Sequence, residues 1–112
     1  MTRRSSRPVL PAPPVDLVAV AVGGRQVILA WTECGSGGLG FRIERATCAN
    51  PCTSFAVIGE VGPHVAAFRD GSVNSRTTYS YRVQAWNAAG VSPFSNVVEM
   101  TQLRDETEPP AD

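Results

Sequence analysis

Three thiols and one imidazole are the side chains best suited to chemistry in this 112-residue sequence: Cys34, Cys48, Cys52 and His64. Cys48 and Cys52 flank Ala49-Asn50-Pro51, and the Asn-Pro pair favours a tight turn that brings the two sulfurs together. A disulfide closing so short a loop stabilises it by about 2 kcal/mol on a chain-entropy basis. It would also imply an oxidising compartment. The rival reading is a zinc site, with Cys34 and His64 completing a Cys₃His set. Cys34 lies before the strand-like run 40–46, whereas Cys48 and Cys52 lie after it. Such a run spans about 23 Å, and a zinc–sulfur bond about 2.3 Å. One ion cannot reach both ends, so no metal is expected. Cys34 is then the odd thiol, in the Gly-rich loop 34–38. Two readings stay open for it: a bond to another chain or a reactive thiol, or a small apolar group packed under its loop.

Catalysis has little to draw on. His64 sits in a Gly-Pro-His turn that reads as a solvent-facing loop. No Ser or Cys carries a motif that would set it beside that ring, and Asp70 lies at a strand end near the other pole. Carboxylates paired at acid/base separation are not evident. The Gly-rich loop lacks the Lys-Ser/Thr and following helix of a phosphate cradle. The sequence therefore reads as a non-enzyme that needs no cofactor.

The elements that must position these residues are strands. Between Pro13 and Thr101, short β-branched and aromatic runs are divided by Gly, Ser, Pro and Asn clusters about every ten residues. Seven runs emerge: Leu17–Val22, Gln26–Thr32, Gly40–Ala46, Phe55–Val61, Ala66–Asp70, Thr78–Asn87 and Asn96–Thr101. In the second, Val27, Leu29 and Trp31 alternate with Ile28 and Ala30. In the sixth, Tyr79, Tyr81, Val83 and Ala85 alternate with Ser80, Arg82 and Gln84. Alternation with a period of two gives each strand one buried face, as two packed antiparallel sheets require. No segment sustains a helical period. The expected fold is an all-β, seven-stranded antiparallel Greek-key sandwich.

Several of these runs resemble the fibronectin type III family. Pro14-Val15-Asp16-Leu17 followed by Val27-Ile28-Leu29-Ala30-Trp31-Thr32 looks like its first two strands, and Gly40-Phe41-Arg42-Ile43-Glu44-Arg45 like its third. The most specific stretch runs from Val73 through Thr77, Tyr79, Tyr81-Arg82-Val83, Ala85, Asn87, Gly90, Ser92 and Ser95-Asn96. It is similar to the family's sixth strand, the loop after it and the start of the seventh. About ninety residues are covered, and the bacterial branch fits best. Ser75 departs from the family's usual Pro, which softens the turn before Tyr79. The resemblance implies a tyrosine corner at Tyr79, its ring filling the core edge and its hydroxyl meeting a backbone group in the preceding turn. Trp31 is expected to be the large packing residue between the sheets.

Binding is the remaining chemistry. By alternation Trp86 points away from the core, on the sheet shared with Arg42 and Glu44, and exposed Trp is enriched at interface hot spots and on sugar-stacking platforms. The competing expectation is that Arg42 or Arg82 lies over its ring as a cation–π pair. Trp86, Arg42 and Arg82 form the candidate binding surface. No Arg-Gly-Asp occurs in the loop 87–95, so integrin-type adhesion has no support.

One domain fills the chain: residues 13–102, with an extended basic, Pro-rich arm at 1–12 and an acidic tail at 103–112. Lys plus Arg number ten, as do Asp plus Glu, so no global field recruits nucleic acid. The charge is uneven, however. Arg3, Arg4 and Arg7 crowd one end, and Asp105, Glu106 and Glu108 the other. These are candidate assembly arms, able to join copies head to tail. No apolar run reaches the roughly 18 residues of a membrane span, and Val9–Val22 is broken by Pro11, Pro13, Pro14 and Asp16, unlike a signal-peptide core. Either a leader has been removed or the chain uses no export signal.

The functional expectation is an interaction, spacer or assembly module in a surface-exposed setting, extracellular, on a cell surface or on a virion. Its partner would be protein, either itself or neighbouring domains. Two alternatives stay open: an accessory domain of a secreted polysaccharide-degrading enzyme touching glycan through Trp86, and a free-standing phage capsid decoration protein. The second sits poorly with a disulfide, because phage assemble in a reducing cytoplasm.

Overall fold

The computed structural model describes residues 9–23, 25–35, 38–49 and 51–102. Eight strands form: β1 Val15–Val22, β2 Gln26–Thr32, β3 Gly40–Ala46, β4 Ala56–Val61, β5 Ala67–Asp70, β6 Thr78–Asn87, β7 Gly90–Val91 and β8 Val98–Thr101. They make two antiparallel sheets. One has the order β1-β2-β5, the other β4-β3-β6-β7, with β8 also on β6. The chain changes sheets between β2 and β3, between β4 and β5, and between β5 and β6, which closes the sandwich.

The period-two pattern sets the faces. Leu17, Val27, Leu29 and Trp31 from one sheet meet Phe41, Ile43, Tyr81, Val83 and Ala85 from the other, all buried. Trp31 packs edge-on to Phe41, with ring centroids 5.5 Å apart. In register, Phe41 lies beside Ala85 and Ile43 beside Val83, so β3 and β6 present one continuous apolar floor. Tyr79 closes its edge. Its hydroxyl accepts the Asn74 N–H at 2.7 Å, which is the corner expected of it.

Eight strands stand where seven were expected. The addition is β7, a two-residue strand that pairs Gly90 with Asn87 and Val91 with Trp86. Ala88 and Ala89 turn the chain tightly, and Gly90 takes a φ of 140°, a conformation open to glycine but costly for other residues. Between β7 and β8 the pairing to β6 continues by other means. Ser92 and Ser95 each donate a backbone N–H to β6, and their hydroxyls accept the N–H groups of Ala85 and Val83. The β6 edge is thereby satisfied where no regular strand covers it.

Candidate functional site

The outer face of the five-stranded sheet holds an aromatic–arginine stack. Glu44 lies directly opposite Arg82 across β3 and β6, and its carboxylate accepts from the guanidinium at 2.9 Å and 2.8 Å. Held in that way, the Arg82 plane sits between two rings, 4.0 Å from the Phe55 centroid and 3.7 Å from that of Phe94. Each such contact contributes about 0.5–1 kcal/mol where partly solvated. Arg42, next along, lies 3.4 Å from Glu60 on β4. The result is a fixed strip of paired charge and ring edges.

Trp86 stands apart from that stack. Arg82 covers the two phenylalanines instead of the indole, and Arg42 pairs with Glu60, so the expected cation–π pair on Trp86 gives way to another arrangement. The reason is spacing. Trp86 lies four residues from Arg82 along β6, about 13 Å, while Glu44 draws the guanidinium straight across. Trp86 is half-buried, facing Gly40 across the β3–β6 ladder. A Cβ at Gly40 would fall 2.5 Å from the Val61 carbonyl oxygen and 2.9 Å from the indole Nε1, so the ring occupies the space that glycine leaves. That Nε1 is buried without a hydrogen-bond partner.

At one end of the sandwich a carboxylate is buried among donors. Asp70, 3% exposed, accepts from the Tyr81 hydroxyl at 2.8 Å, Arg45 Nη1 at 2.9 Å, the Ser72 hydroxyl at 2.7 Å and the Ser72 N–H at 3.0 Å. Burial pushes the Asp70 carboxyl upward, but the bonds from Ser72, Tyr81 and Arg45 outweigh it and hold it below its ordinary value. Burial, and then Asp70 itself, push the Tyr81 phenol well above the usual tyrosine range. The Arg45 guanidinium also lies 4.8 Å from the Tyr79 ring centroid. Every group here is satisfied by another, which makes the cluster a fold-building knot. None is left poised to move a proton.

Beside the knot opens a cleft of about 510 Å³ lined by Arg45, Thr47, Cys48, Cys52, Ser54 and Ile58. Its rim is the Cys48–Cys52 disulfide, with Cα atoms 6.2 Å apart. The Ser80 hydroxyl donates to the Cys48 carbonyl at 2.9 Å and ties that loop to β6. Cys34 is a free, half-buried thiol. His64 is exposed on the turn between β4 and β5, its Nδ1 3.1 Å from a Glu33 carboxylate oxygen. Among the described residues no group of three or more His, Cys, Asp or Glu is placed to hold a metal ion. No helix among them is long and apolar enough to cross a membrane.

The six candidate arm residues, Arg3, Arg4, Arg7, Asp105, Glu106 and Glu108, lie outside the described residues. The segments leading to them are placed. The Asn87 side-chain amide, at the end of β6, donates to the Val9 carbonyl at 2.7 Å. Gln102 exchanges backbone bonds with Arg76 and Thr77, just before the start of β6. Val9 and Gln102 thus lie at opposite ends of a ten-residue strand.

The architecture defines an immunoglobulin-like antiparallel β-sandwich. No family model matches the sequence, and no curated protein matches it. Solved structures do. The chain is similar to a solved segment of titin (24% identity, TM-score 0.71, 85% of this chain and 33% of that one). It is similar to the FN1–FN3 domains of chicken CNTN1 (16%, 0.74, 84% and 33%). It is also similar to the fibronectin type-III domain of human fibronectin type III domain containing protein 3 (23%, 0.71, 93% and 96%). The chain therefore has the fold of fibronectin type III domains. It spans about a third of the titin and CNTN1 chains it matches.

Proposed function

We propose that this chain is a non-catalytic spacer and protein-interaction module of a surface-exposed assembly, extracellular, on a cell surface or on a virion coat. The observation that carries this is the placement of Val9 and Gln102 at opposite ends of β6. A unit built so extends a string and does not fold it back. Among the described polar side chains, Asp70, Arg45 and Tyr81 engage one another, Arg82 pairs with Glu44, and Arg42 with Glu60. The similarity to segments of longer chains agrees with a repeating or tandem role.

The partner is protein, a second copy or a neighbouring domain, with the basic arm of one unit meeting the acidic tail of the next. The accessory glycan-contacting reading through Trp86 is weakened by the indole's half-burial, since a stacking platform offers its ring face to solvent. The test uses a peptide of residues 1–8, which carries Arg3, Arg4 and Arg7, titrated into isotope-labelled protein lacking those residues. Shifts confined to resonances of residues 103–112, and abolished by salt, are expected. Perturbation spread over the β3–β6 face, or none at all, would overturn the arm-to-tail contact. Soluble xylan and cellulose oligomers in the same experiment should leave the Trp86 indole resonance unmoved.

A further inference from the structure

Strand β1 is an edge of the three-stranded sheet, and its outward side chains are apolar. Val18, Val20 and Val22 are 53%, 57% and 47% exposed. Across the same face Val18 lies beside Ala30 and Val20 beside Ile28, with Ala67 and Arg69 continuing those rows on β5. A solvated outer face ordinarily carries polar residues. Here Val18, Val20, Val22, Ile28, Ala30 and Ala67 are apolar, and Gln26 and Arg69 lie at the margin.

The backbone of β1 also has an open side. The Leu17 N–H donates to the Asn96 side-chain oxygen at 2.9 Å, and the Leu17 carbonyl accepts from the Asn96 amide at 3.0 Å, so both Leu17 groups turn away from β2. Alternate residues of an antiparallel strand turn their polar groups the same way. Ala19 and Ala21 therefore present N–H and C=O groups along that free edge. Among the described residues no backbone group outside the β1–β2 ladder bonds either of them.

Residues 18–22 read Val-Ala-Val-Ala-Val, the same in both directions. We propose that β1 pairs antiparallel with β1 of a second copy, about a two-fold axis through Val20, joining two three-stranded sheets into one of six strands. In that register Ala19 exchanges both backbone bonds with Ala21 of the second copy, and Ala21 with its Ala19. On the outer face Val20 meets Val20, and Val18 meets Val22. Asn96, already seated on Leu17, ends the pairing on each side. A one-residue slip sets valine against alanine and puts the bonding sides out of phase.

A second copy is the occupant that uses this symmetry in full. The contact is isologous and stops at a dimer, unlike arm-to-tail growth. Pairing over five residues buries less than the roughly 1,200–2,000 Å² of a standard interface, so the dimer is weak and forms at high concentration.

Cysteine cross-linking reads the register. In a Cys34→Ser background, Val20→Cys should link to itself under mild oxidation, because Cβ atoms of directly opposed residues lie about 4.5–5.5 Å apart. Val18→Cys alone should stay unlinked, yet should link when mixed with Val22→Cys. In sedimentation equilibrium at high salt, where arm-to-tail contacts are screened, a monomer–dimer equilibrium is expected. Val20→Lys, which sets two cations face to face, should weaken it by up to about fivefold, while Val20→Thr should leave it in place. A monomer at every concentration, or Val18→Cys linking as readily as Val20→Cys, would overturn the proposal.

Discussion

The Tyr81 hydroxyl donates a 2.8 Å hydrogen bond to Asp70, joining the centre of β6 to the last residue of β5 across the gap between the two sheets. It is the polar counterpart of the Trp31–Phe41 contact. Both lock one sheet onto the other, one by shape and one by donors converging on a buried charge.

This bond makes stability depend on pH at both extremes. Asp70 is held below its ordinary value, so its contribution is fully present above the unfolded carboxyl's pKa of about 4. It is lost as pH falls from there through the folded value. Asp70→Asn should cost about 2–3 kcal/mol at neutral pH by leaving Arg45 without its charge partner, and its gap from the parent should narrow below about pH 4. Tyr81 is raised, so the native state keeps its proton after the unfolded phenol ionises near pH 10. Stability should therefore fall as pH rises past about 10, less steeply in Tyr81→Phe. Urea melts across pH check both limbs.

Gly40→Ala should destabilise the domain by about 1–3 kcal/mol. The new methyl would meet the Val61 carbonyl, which β4 holds in place, and the Trp86 ring. Acrylamide quenching of single-Trp variants should find Trp31 more protected than Trp86 in the parent. In the Gly40→Ala background the accessibility of Trp86 should rise while Trp31 stays shielded. Unchanged quenching of Trp86 would mean the indole does not lie over Gly40.

Tyr79→Phe removes the acceptor of the Asn74 N–H and keeps the ring. The cost should be about 1 kcal/mol, with the far-ultraviolet spectrum unchanged. A neutral effect would show that another acceptor takes over that turn.

Alkylation of unreduced protein from an oxidising compartment, followed by mass spectrometry, should modify Cys34 and protect Cys48 and Cys52. Replacing both paired residues by Ser should lower stability by about 2 kcal/mol. Modification of all three thiols without reduction would remove the disulfide, and with it the support for an oxidising compartment.

Much of the fold was legible, for physical reasons that differ by element. The bounds of β2, β3 and β6 follow residue for residue from alternation, because each has one face against the core. β7 escaped notice since two residues in a Gly- and Ala-rich turn carry no period. The Arg82 stack was missed because Phe94 lies in an irregular segment, where pattern says nothing of direction, and Phe55, expected to begin the fourth strand, comes just before β4 instead. The Asp70 knot did leave a signal. Phe41, Ile43 and Arg45 share one face, and an arginine on an inward face calls for a buried acid. The valines of β1 were equally visible as outward-facing residues in a strand with no polar face.

Sedimentation velocity of the full chain at low and high salt, with and without residues 1–12, tests the spacer reading most directly. Contacts between exposed charges contribute about 0–1 kcal/mol each and are screened beyond about 8 Å at physiological salt. Head-to-tail growth through the arms should therefore give species larger than a dimer at low salt, lost both at high salt and on removal of residues 1–12. Identical distributions for the full and shortened chains at both salt concentrations would contradict it.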